Sequence, residues 1–357
     1  MKRGDRYFYF FLTVICLVMF SQTGWTDNGP NHRKRSQYFG VSGGNIKDIS
    51  NAFCCSGTLG SLVSDGTSQY ILSNNHVLAR TDQAVSGEDI SQPGLIDNGC
   101  RPATIVADFT NAVPLGNNVD VGVAKLRSGT MRSDGAIMDI GAISKNKKTP
   151  AVGLAVEKSG RTTGLTTGKI GSINASLSVQ YQKGCNNGKK FTVTYRNQVV
   201  INSSTFSAGG DSGSLIVTNN SCHQPVALLY AGSSSTTVGN PIGEVLTKMS
   251  SRLGRTLSFV GGTCTTSAGA FVSTGTQMES PSTKALQHAS DVKNRHENDL
   301  MSRTGVLGVG VGASEQYPSE AVIVIYMDKT LGMRARMPER VEDVRVKVIS
   351  TTPFVAY

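Results

Sequence analysis

Short apolar runs broken by glycine, asparagine and aspartate fill the chain from Phe53 to Leu126. The same pattern returns from Ala155 to Leu253, where it predicts strands at Lys169–Ile173, Leu177–Tyr181, Phe191–Tyr195, Gln198–Ile201, Leu215–Val217 and Val226–Ala231. Short strands separated by tight turns are typical of sheets that pack or close into barrels. The pattern therefore predicts two successive β-barrels, with Ser128–Val152 as the connector between them.

Residues 282–357 carry a different pattern. Ahead of them, a stretch rich in glycine, serine and threonine indicates a linker at residues 259–281. Ser282–Arg303 has apolar residues at helical spacing with charges between them, which predicts an amphipathic helix. Strands are predicted at Val306–Gly312, Ala321–Met327 and Val344–Ile349, with a short helical turn at Pro338–Val341. The sequence thus predicts a small C-terminal α+β domain, which does not resemble a PDZ domain.

Composition agrees with a mainly β protein of two domains. The chain has 357 residues, 40 of them glycine, with 6% aromatic and 17% charged residues, which suits strands and tight turns better than helices. The net charge of +10 is scattered, and its one dense cluster before the first barrel is Arg33–Arg35. Basic residues interleaved with aromatic ones are missing, so we expect no nucleic-acid partner.

The first residues resemble an export signal. Lys2, Arg3 and Arg6 precede an apolar run at Tyr7–Phe20, and small residues follow up to Gly24. The run is short for a bilayer span, so we interpret residues 1–24 as a signal peptide, with an uncleaved anchor as the alternative. We expect a secreted or periplasmic protein with no other membrane-crossing stretch.

The cysteines after this leader form an even set: Cys54, Cys55, Cys100, Cys185, Cys222 and Cys264. An even number in an exported chain favours disulfides, although the sequence leaves the pairing open. A bond between the adjacent Cys54 and Cys55 is disfavoured by strain. Metal binding is the competing interpretation, but there is no C-x-x-C and no histidine at ligand spacing, so we predict no metal site.

A glycine-rich turn at Gly209–Ser214, just before the apolar Leu215–Val217, is the strongest candidate for chemistry. Glycines on both sides of Ser212 let the backbone bend sharply and hold the hydroxyl out into a cleft. The N–H groups of Gly210 and Ser212 could then meet at an oxyanion. The competing interpretation is an ordinary hairpin turn, since Gly, Asp and Ser are common turn residues.

A nucleophilic serine needs a base and an acid that orients the base. His76 lies at the end of an apolar strand, where it could instead be a structural cap. Asp120 lies at the head of an alternating apolar strand, where a buried carboxylate needs a partner. The order His76, Asp120, Ser212 is the order of chymotrypsin-like peptidases and differs from that of subtilisins and α/β-hydrolases.

Five segments carry a family resemblance: Gly57–Val63, Tyr70–His76, Val119–Leu126, Thr162–Ile170 and Gly210–Ser214. They resemble the motifs of chymotrypsin-like (trypsin-fold) serine peptidases, most of all a bacterial branch related to the plant narrow-leaf proteins. The resemblance covers residues 40–255 and implies an all-β double barrel, which we set at residues 40–258. Two features depart from the family pattern: Gly213-Ser214-Leu215 replaces the usual Gly-Gly-Pro, and no cysteine closely follows His76.

The resemblance implies an exported serine endopeptidase without a cofactor, acting on protein or peptide substrates. Ser212 would attack the carbonyl, His76 would act as general base and acid, and Asp120 would orient the imidazole. A non-catalytic binding protein on the same scaffold is the alternative, and an esterase using the same residues is a third hypothesis. We also expect Asp211 to be held by internal groups, without a newly cut N-terminus.

The resemblance also places a specificity pocket, with its floor at Phe206 and its far wall at Tyr230, Ala231 and Gly232. Because Phe206 would fill the depth, we expect a shallow apolar pocket preferring Ala, Val or Leu, with Phe poorer and Arg or Lys disfavoured. The apolar end Thr351–Tyr357 resembles a cleaved product. It could contact the cleft as an inhibitor or folding aid, or the C-terminal domain could only stabilise the protein or bind partners.

Overall fold

The structure is a computed structural model that describes residues 32–33, 37–185, 187–264, 280–331 and 337–357. The predicted signal peptide and most of the predicted linker lie outside these residues.

The first barrel forms one curled eight-stranded sheet, which also takes in a late strand from the end of the second barrel. Its early elements are β1 (Val41–Asn45), β2 (Gly57–Leu59), β3 (Ser61–Ser64), β4 (Gln69–Ser73), α1 (Asn75–Leu78), β5 (Asp89–Gln92), β6 (Thr104–Val113) and β7 (Val121–Leu126). Their inward residues, among them Leu62, Ile71 and Val123, are fully buried.

The second barrel closes on itself. Its elements are β8 (Ala155–Gly160), β9 (Gly164–Gln182), β10 (Lys190–Ile201), β11 (Leu215–Thr218), β12 (Pro225–Gly232), β13 (Thr237–Pro241), α2 (Ile242–Leu253) and β14 (Ser258–Phe259). β8 to β13 pair in the ring β9–β10–β13–β12–β11–β8–β9. β14 instead joins β3 of the first sheet. Six antiparallel strands closed in this way make a barrel without free edges, so the predicted double barrel is confirmed.

The C-terminal unit extends the sheet of the second barrel. Its elements are α3 (Thr283–Ser302), β15 (Val306–Ala313), β16 (Ala321–Asp328), β17 (Arg340–Val341), β18 (Val344–Thr351) and β19 (Phe354–Ala356). β15 pairs antiparallel with β9, and β16 and β18 follow in order. The long β9–β10 hairpin therefore belongs to the barrel and to the C-terminal sheet at once.

A buried polar cluster also fixes α3 to this hairpin. Lys293 is 1% exposed, and its ammonium lies 2.9 Å from Ser176 Oγ on β9 and 2.5 Å from Glu297. The other Glu297 oxygen accepts a hydrogen bond from Arg196 on β10 at 2.8 Å. In any other position of α3, Lys293 would be buried without Ser176 and Glu297 without Arg196. Because an unpaired buried charge is costly, the cluster favours this one position of the helix.

The structure differs from the sequence predictions in two places. The helical turn predicted at Pro338–Val341 is wrong, since Arg340–Val341 is a strand that pairs with Val344 and Arg345. Helix α2 lies inside the predicted strand pattern of Ala155–Leu253, where Val245, Leu246 and Met249 follow helical spacing. They form a buried helical face instead.

Three disulfides join Cys54 to Cys100, Cys55 to Cys185, and Cys222 to Cys264. This agrees with the predicted use of the cysteines in disulfides. The second of them ties the start of the first barrel to the tip of the β9–β10 hairpin, across 130 residues of sequence. No helix in the described part of the chain is long and apolar enough to cross a membrane.

Candidate active site

His76 lies in α1, the short helix that follows β4, and only 10% of its side chain is exposed. Its Nδ1 lies 2.6 Å from Asp120 Oδ2, and its backbone N–H donates to Asp120 Oδ1 at 3.2 Å. Two contacts with one carboxylate fix both the ring and the main chain. The imidazole is therefore held with Nδ1 facing the acid and Nε2 facing the cleft.

Asp120 directly precedes β7 and is fully buried. Besides His76, the Tyr181 hydroxyl donates to its Oδ2 at 2.9 Å, and its own N–H donates to Asn240 at 2.9 Å. Burial next to Asp120 raises the pKa of Tyr181 well above its usual value, so the phenol stays protonated and remains a donor. The carboxylate thus accepts hydrogen bonds from both barrels.

The pKa of His76 is raised above its ordinary value. Burial alone lowers it, but the charge and hydrogen bond of Asp120, the main chain of Tyr357 and the charge of Asp48 together outweigh that effect. Burial in turn raises the pKa of Asp48 to about 6, while Arg80 and His76 lower it. Two carboxyl groups of unequal burial therefore act on one imidazole.

Ser212 occupies a turn that only glycine neighbours allow. Gly210 and Gly213 have φ of +96° and +94°, and a Cβ at Gly213 would lie 2.1 Å from the Ser73 hydroxyl. Ser212 Oγ donates to the Tyr230 carbonyl at 3.2 Å. Within the described residues, the N–H groups of Gly210 and Ser212 have no protein acceptor, so both are available to an oxyanion.

Internal groups hold Asp211, the residue before Ser212. Its carboxylate accepts hydrogen bonds from the N–H of Thr162 at 2.8 Å, the hydroxyl of Thr163 at 2.7 Å and the N–H of Ala208 at 3.0 Å. Lys158 Nζ lies 3.6 Å away, and both side chains are fully buried. Burial lowers the pKa of Lys158, and the charge of Asp211 partly restores it. The expectation of an internal partner for Asp211 agrees with this arrangement.

Residues 354–357 lie in the cleft between the two barrels. β19 pairs antiparallel with β12, with Ala356 opposite Ala231 and Val355 opposite Gly232. On its other side it pairs in parallel with β9. The N–H of Tyr357 donates to the Tyr230 carbonyl at 3.4 Å. An extended segment added to a sheet in this way is a recurring mode of peptide recognition.

The same segment reaches His76. The main-chain carbonyl oxygen of Tyr357 lies 3.0 Å from His76 Nε2. This oxygen and the Asp120 carboxylate are both acceptors, so the two contacts favour the doubly protonated imidazole. The raised pKa of His76 agrees with this.

The predicted pocket residues surround the side chain of Tyr357. Its ring packs against the cluster that contains the fully buried Phe206, and a Cβ at Gly232 would lie 2.0 Å from its hydroxyl. Tyr230 and Ala231 form the strand along which the segment runs. Phe206 and the Tyr357 ring thus belong to one apolar region. The expected shallow pocket preferring Ala, Val or Leu stays a prediction.

A cleft of about 650 Å3 opens beside His76 and Tyr357. Asp48, Ile96 and Thr162 line it, together with the disulfide between Cys55 and Cys185. Ala356 and Tyr357 line it too, so the cleft adjoins the segment that lies along β12.

The other histidines have structural partners, all carboxylates: Asp139 for His32, Glu157 for His223, Asp343 for His288 and Glu342 for His296. His32 also lies 2.9 Å from the Ser159 hydroxyl inside the protein. No group of three or more His, Cys, Asp or Glu in the described residues could hold a metal ion.

Sequence reasoning missed Tyr181, Asp48 and Lys158. Tyr181 closes a predicted strand, and its partner Asp120 is 61 residues away, so no local pattern connects them. The sequence does contain an indication for Lys158. It lies two residues after Val156 on a buried strand, and a buried lysine needs an acidic partner.

No family model matches this chain, and no curated protein matches it. Among solved structures, a glutamic acid-specific serine protease has a TM-score of 0.44 and 19% identity, covering 62% of this chain and 99% of that one. Protease A of Thermobifida fusca has a TM-score of 0.43 and 19% identity over 64% of this chain and all of that one. A Cellulomonas bogoriensis chymotrypsin has a TM-score of 0.42 and 17% identity over 63% and 98%.

The relation to the plant narrow-leaf proteins stays a prediction. The barrel architecture does not depend on it. The eight-stranded sheet, the closed six-stranded ring and the cleft between them are the parts of one known architecture. The chain therefore has the fold of the chymotrypsin-like serine proteases, with a C-terminal α+β unit added to its second barrel.

Proposed function

We propose that this protein is an exported serine endopeptidase that hydrolyses peptide bonds in the cleft between its barrels. The observation that carries the proposal is a peptide segment, residues 354–357, lying along β12 with its carbonyl 3.0 Å from His76. A site that holds an extended main chain in this register favours peptide substrates over small esters. The disulfides favour an oxidising compartment, either the exterior or the periplasm.

In the proposed reaction, Ser212 Oγ turns from the Tyr230 carbonyl towards His76 Nε2 and attacks the substrate carbonyl. His76 takes the proton and returns it to the leaving amine as the C–N bond breaks, while Asp120 keeps Nδ1 protonated and facing inward. Water, which gives a proton to His76, then cleaves the acyl-enzyme ester, and the proton returns to Ser212 Oγ. The oxyanion receives hydrogen bonds from the N–H groups of Gly210 and Ser212. No cofactor enters this mechanism.

The C-terminal segment acts as an intramolecular inhibitor in this proposal. It occupies the positions of a substrate and favours the doubly protonated form of His76. Removal of the whole C-terminal unit is a poor test, since it exposes the edge of β9 and breaks the Lys293–Glu297 cluster. The variant Tyr357→Gly empties the pocket and keeps Phe354, which is fully buried.

The test is labelling with a fluorophosphonate, followed by mapping of the modified peptide. We expect label on Ser212 in the oxidised Tyr357→Gly protein, slower labelling of the unaltered chain, and none after Ser212→Ala. Thermal unfolding of each variant checks that the fold is kept. A folded Tyr357→Gly protein without label at Ser212 would identify the alternative, a binding protein on a peptidase scaffold.

A further inference from the structure

The side chain of Tyr357 shows what the pocket accepts. Antiparallel pairing of Val355 with Gly232 and of Ala356 with Ala231 sets the register of the segment, and the carbonyl of Tyr357 then falls at His76. In this register Tyr357 is the residue whose carbonyl would be attacked. Its side chain therefore lies in the pocket that selects the residue before the cut bond.

One part of this pocket is apolar. The phenol ring packs against the buried cluster around Phe206. Gly232 forms one wall, and even a methyl group there would lie 2.3 Å from the ring carbon that carries the hydroxyl. The wall is thus made of bare backbone, which leaves room for a flat ring.

The end of the pocket is polar. The Tyr357 hydroxyl donates to the Ser233 carbonyl at 3.4 Å. The Ser207 hydroxyl, which also contacts Thr237, is a further polar group here. Burial raises the pKa of Tyr357, the Ser207 hydroxyl partly lowers it, and the charge of Asp211 raises it again. The group is therefore a neutral phenol that needs hydrogen-bond partners, and the pocket supplies them.

Other side chains fit this pocket less well. Alanine, valine or leucine would leave the Ser233 carbonyl without the donor that the phenol provides, whereas the Ser207 hydroxyl would keep its contact with Thr237. Lysine or arginine would need a free acid, but the nearby Asp211 is already paired with Lys158 and four further donors.

We propose that the peptidase cuts after tyrosine, with Phe206, Gly232, Ser233 and Ser207 as the residues that select the phenol. This rests on the proposed function, and it is an alternative to the expectation of a pocket for alanine, valine or leucine.

The experiment uses the Tyr357→Gly protein and peptides of the form Phe-Val-Ala-Xaa-p-nitroanilide, which copy residues 354–356. We expect kcat/KM for Tyr to exceed that for Phe by about tenfold, the worth of one hydrogen bond to the hydroxyl. It should exceed that for Ala by about 100-fold, since most of the buried aromatic surface is lost. Lys should not be cleaved. Faster cleavage after Ala or Leu than after Tyr overturns the proposal.

Ser207→Ala, added to Tyr357→Gly, is the matched control. It removes a hydroxyl without closing the pocket, so the ratio of Tyr to Phe should fall towards one. An unchanged ratio of about tenfold means that Ser207 does not contact the phenol.

A binding measurement separates this inference from the proposed function. A fluorescent Phe-Val-Ala-Tyr peptide is titrated into Ser212→Ala, Tyr357→Gly protein and compared with Phe-Val-Ala-Ala. Tighter binding of the tyrosine peptide supports the pocket assignment even if no peptide is cut. Equal binding of the two overturns it even if the enzyme is active.

Discussion

Two fully buried carboxylates, Asp120 and Asp211, lie on either side of the candidate nucleophile and have opposite kinds of partner. Asp120 faces His76 and Tyr181, groups that can exchange or donate a proton. Asp211 faces the ammonium of Lys158 and four donors that belong to its own barrel. The first carboxylate therefore acts on a group that titrates, and the second holds a loop in place.

The different partners of Asp120 and Asp211 indicate different roles for the two carboxylates. In the proposed mechanism, the loop that presents two N–H groups to an oxyanion is held by the ion pair and hydrogen bonds of Asp211. A general base needs a carboxylate whose hydrogen bonds set the imidazole and its pKa. We therefore expect changes at Asp120 to affect turnover, and changes at Asp211 to affect stability first.

Asp120→Asn should give the largest loss. The amide would hold His76 in the wrong tautomer, so kcat should fall by about 10⁴-fold, as in other triads. It is measured in the Tyr357→Gly background with a tyrosine peptide, and the unfolding temperature should change little. Activity within tenfold of the parent would mean that another acid orients His76.

Lys158→Met should affect stability through Asp211, the second of the two carboxylates. It leaves Asp211 buried without its cation, so the free energy of unfolding should fall by about 3–5 kcal/mol. Urea unfolding measures this, and the double variant Lys158→Met, Asp211→Asn is the control, since it removes both charges. We expect the double variant to recover part of the loss. A single variant as stable as the parent contradicts the role given to the pair.

Tyr181→Phe should sharpen the comparison without disrupting the fold. Loss of the hydrogen bond leaves more negative charge on Asp120, which stabilises protonated His76 and raises the pKa of that imidazole. Activity needs the neutral ring, so the acid limb of the pH–rate profile should move to higher pH, by roughly half a unit. A shift to lower pH would mean that the Tyr181 hydroxyl does not reduce the negative charge that Asp120 presents to His76.

Asp48→Asn should give the smallest effect, with the opposite sign. The charge of Asp48 raises the pKa of His76, so its removal lets that pKa fall. The acid limb should move to lower pH by a few tenths of a unit, roughly the effect of one partly screened charge. The same pH–rate measurement detects it, and a shift in the same direction as Tyr181→Phe would contradict the assignment.

Much of the fold could be predicted because the strands of this chain either alternate apolar with polar residues or consist of continuous apolar runs, and turn residues separate them. The order of His76, Asp120 and Ser212 also pointed to the cleft before any geometry was known. Local patterns could not give what depends on distant partners. The depth of the pocket, for example, depends on Tyr357 and Ser233, which are 124 residues apart. The assignment of Phe206 to the pocket floor stays a prediction, and its burial among Val156, Ile170 and Leu229 had no local signal.

The pairing of β15 with β9 affects how residues 354–357 compete with an external peptide for the cleft. Because the docked unit delivers residues 354–357 to the cleft, their local concentration is set by the tether, about millimolar for short flexible links. A weakly binding segment then suffices to occupy the site. In the proposed enzyme, an external peptide of equal intrinsic affinity would displace it only at a comparable concentration. The apparent KM of the unaltered chain would then depend on the anchoring of β15 as much as on the pocket.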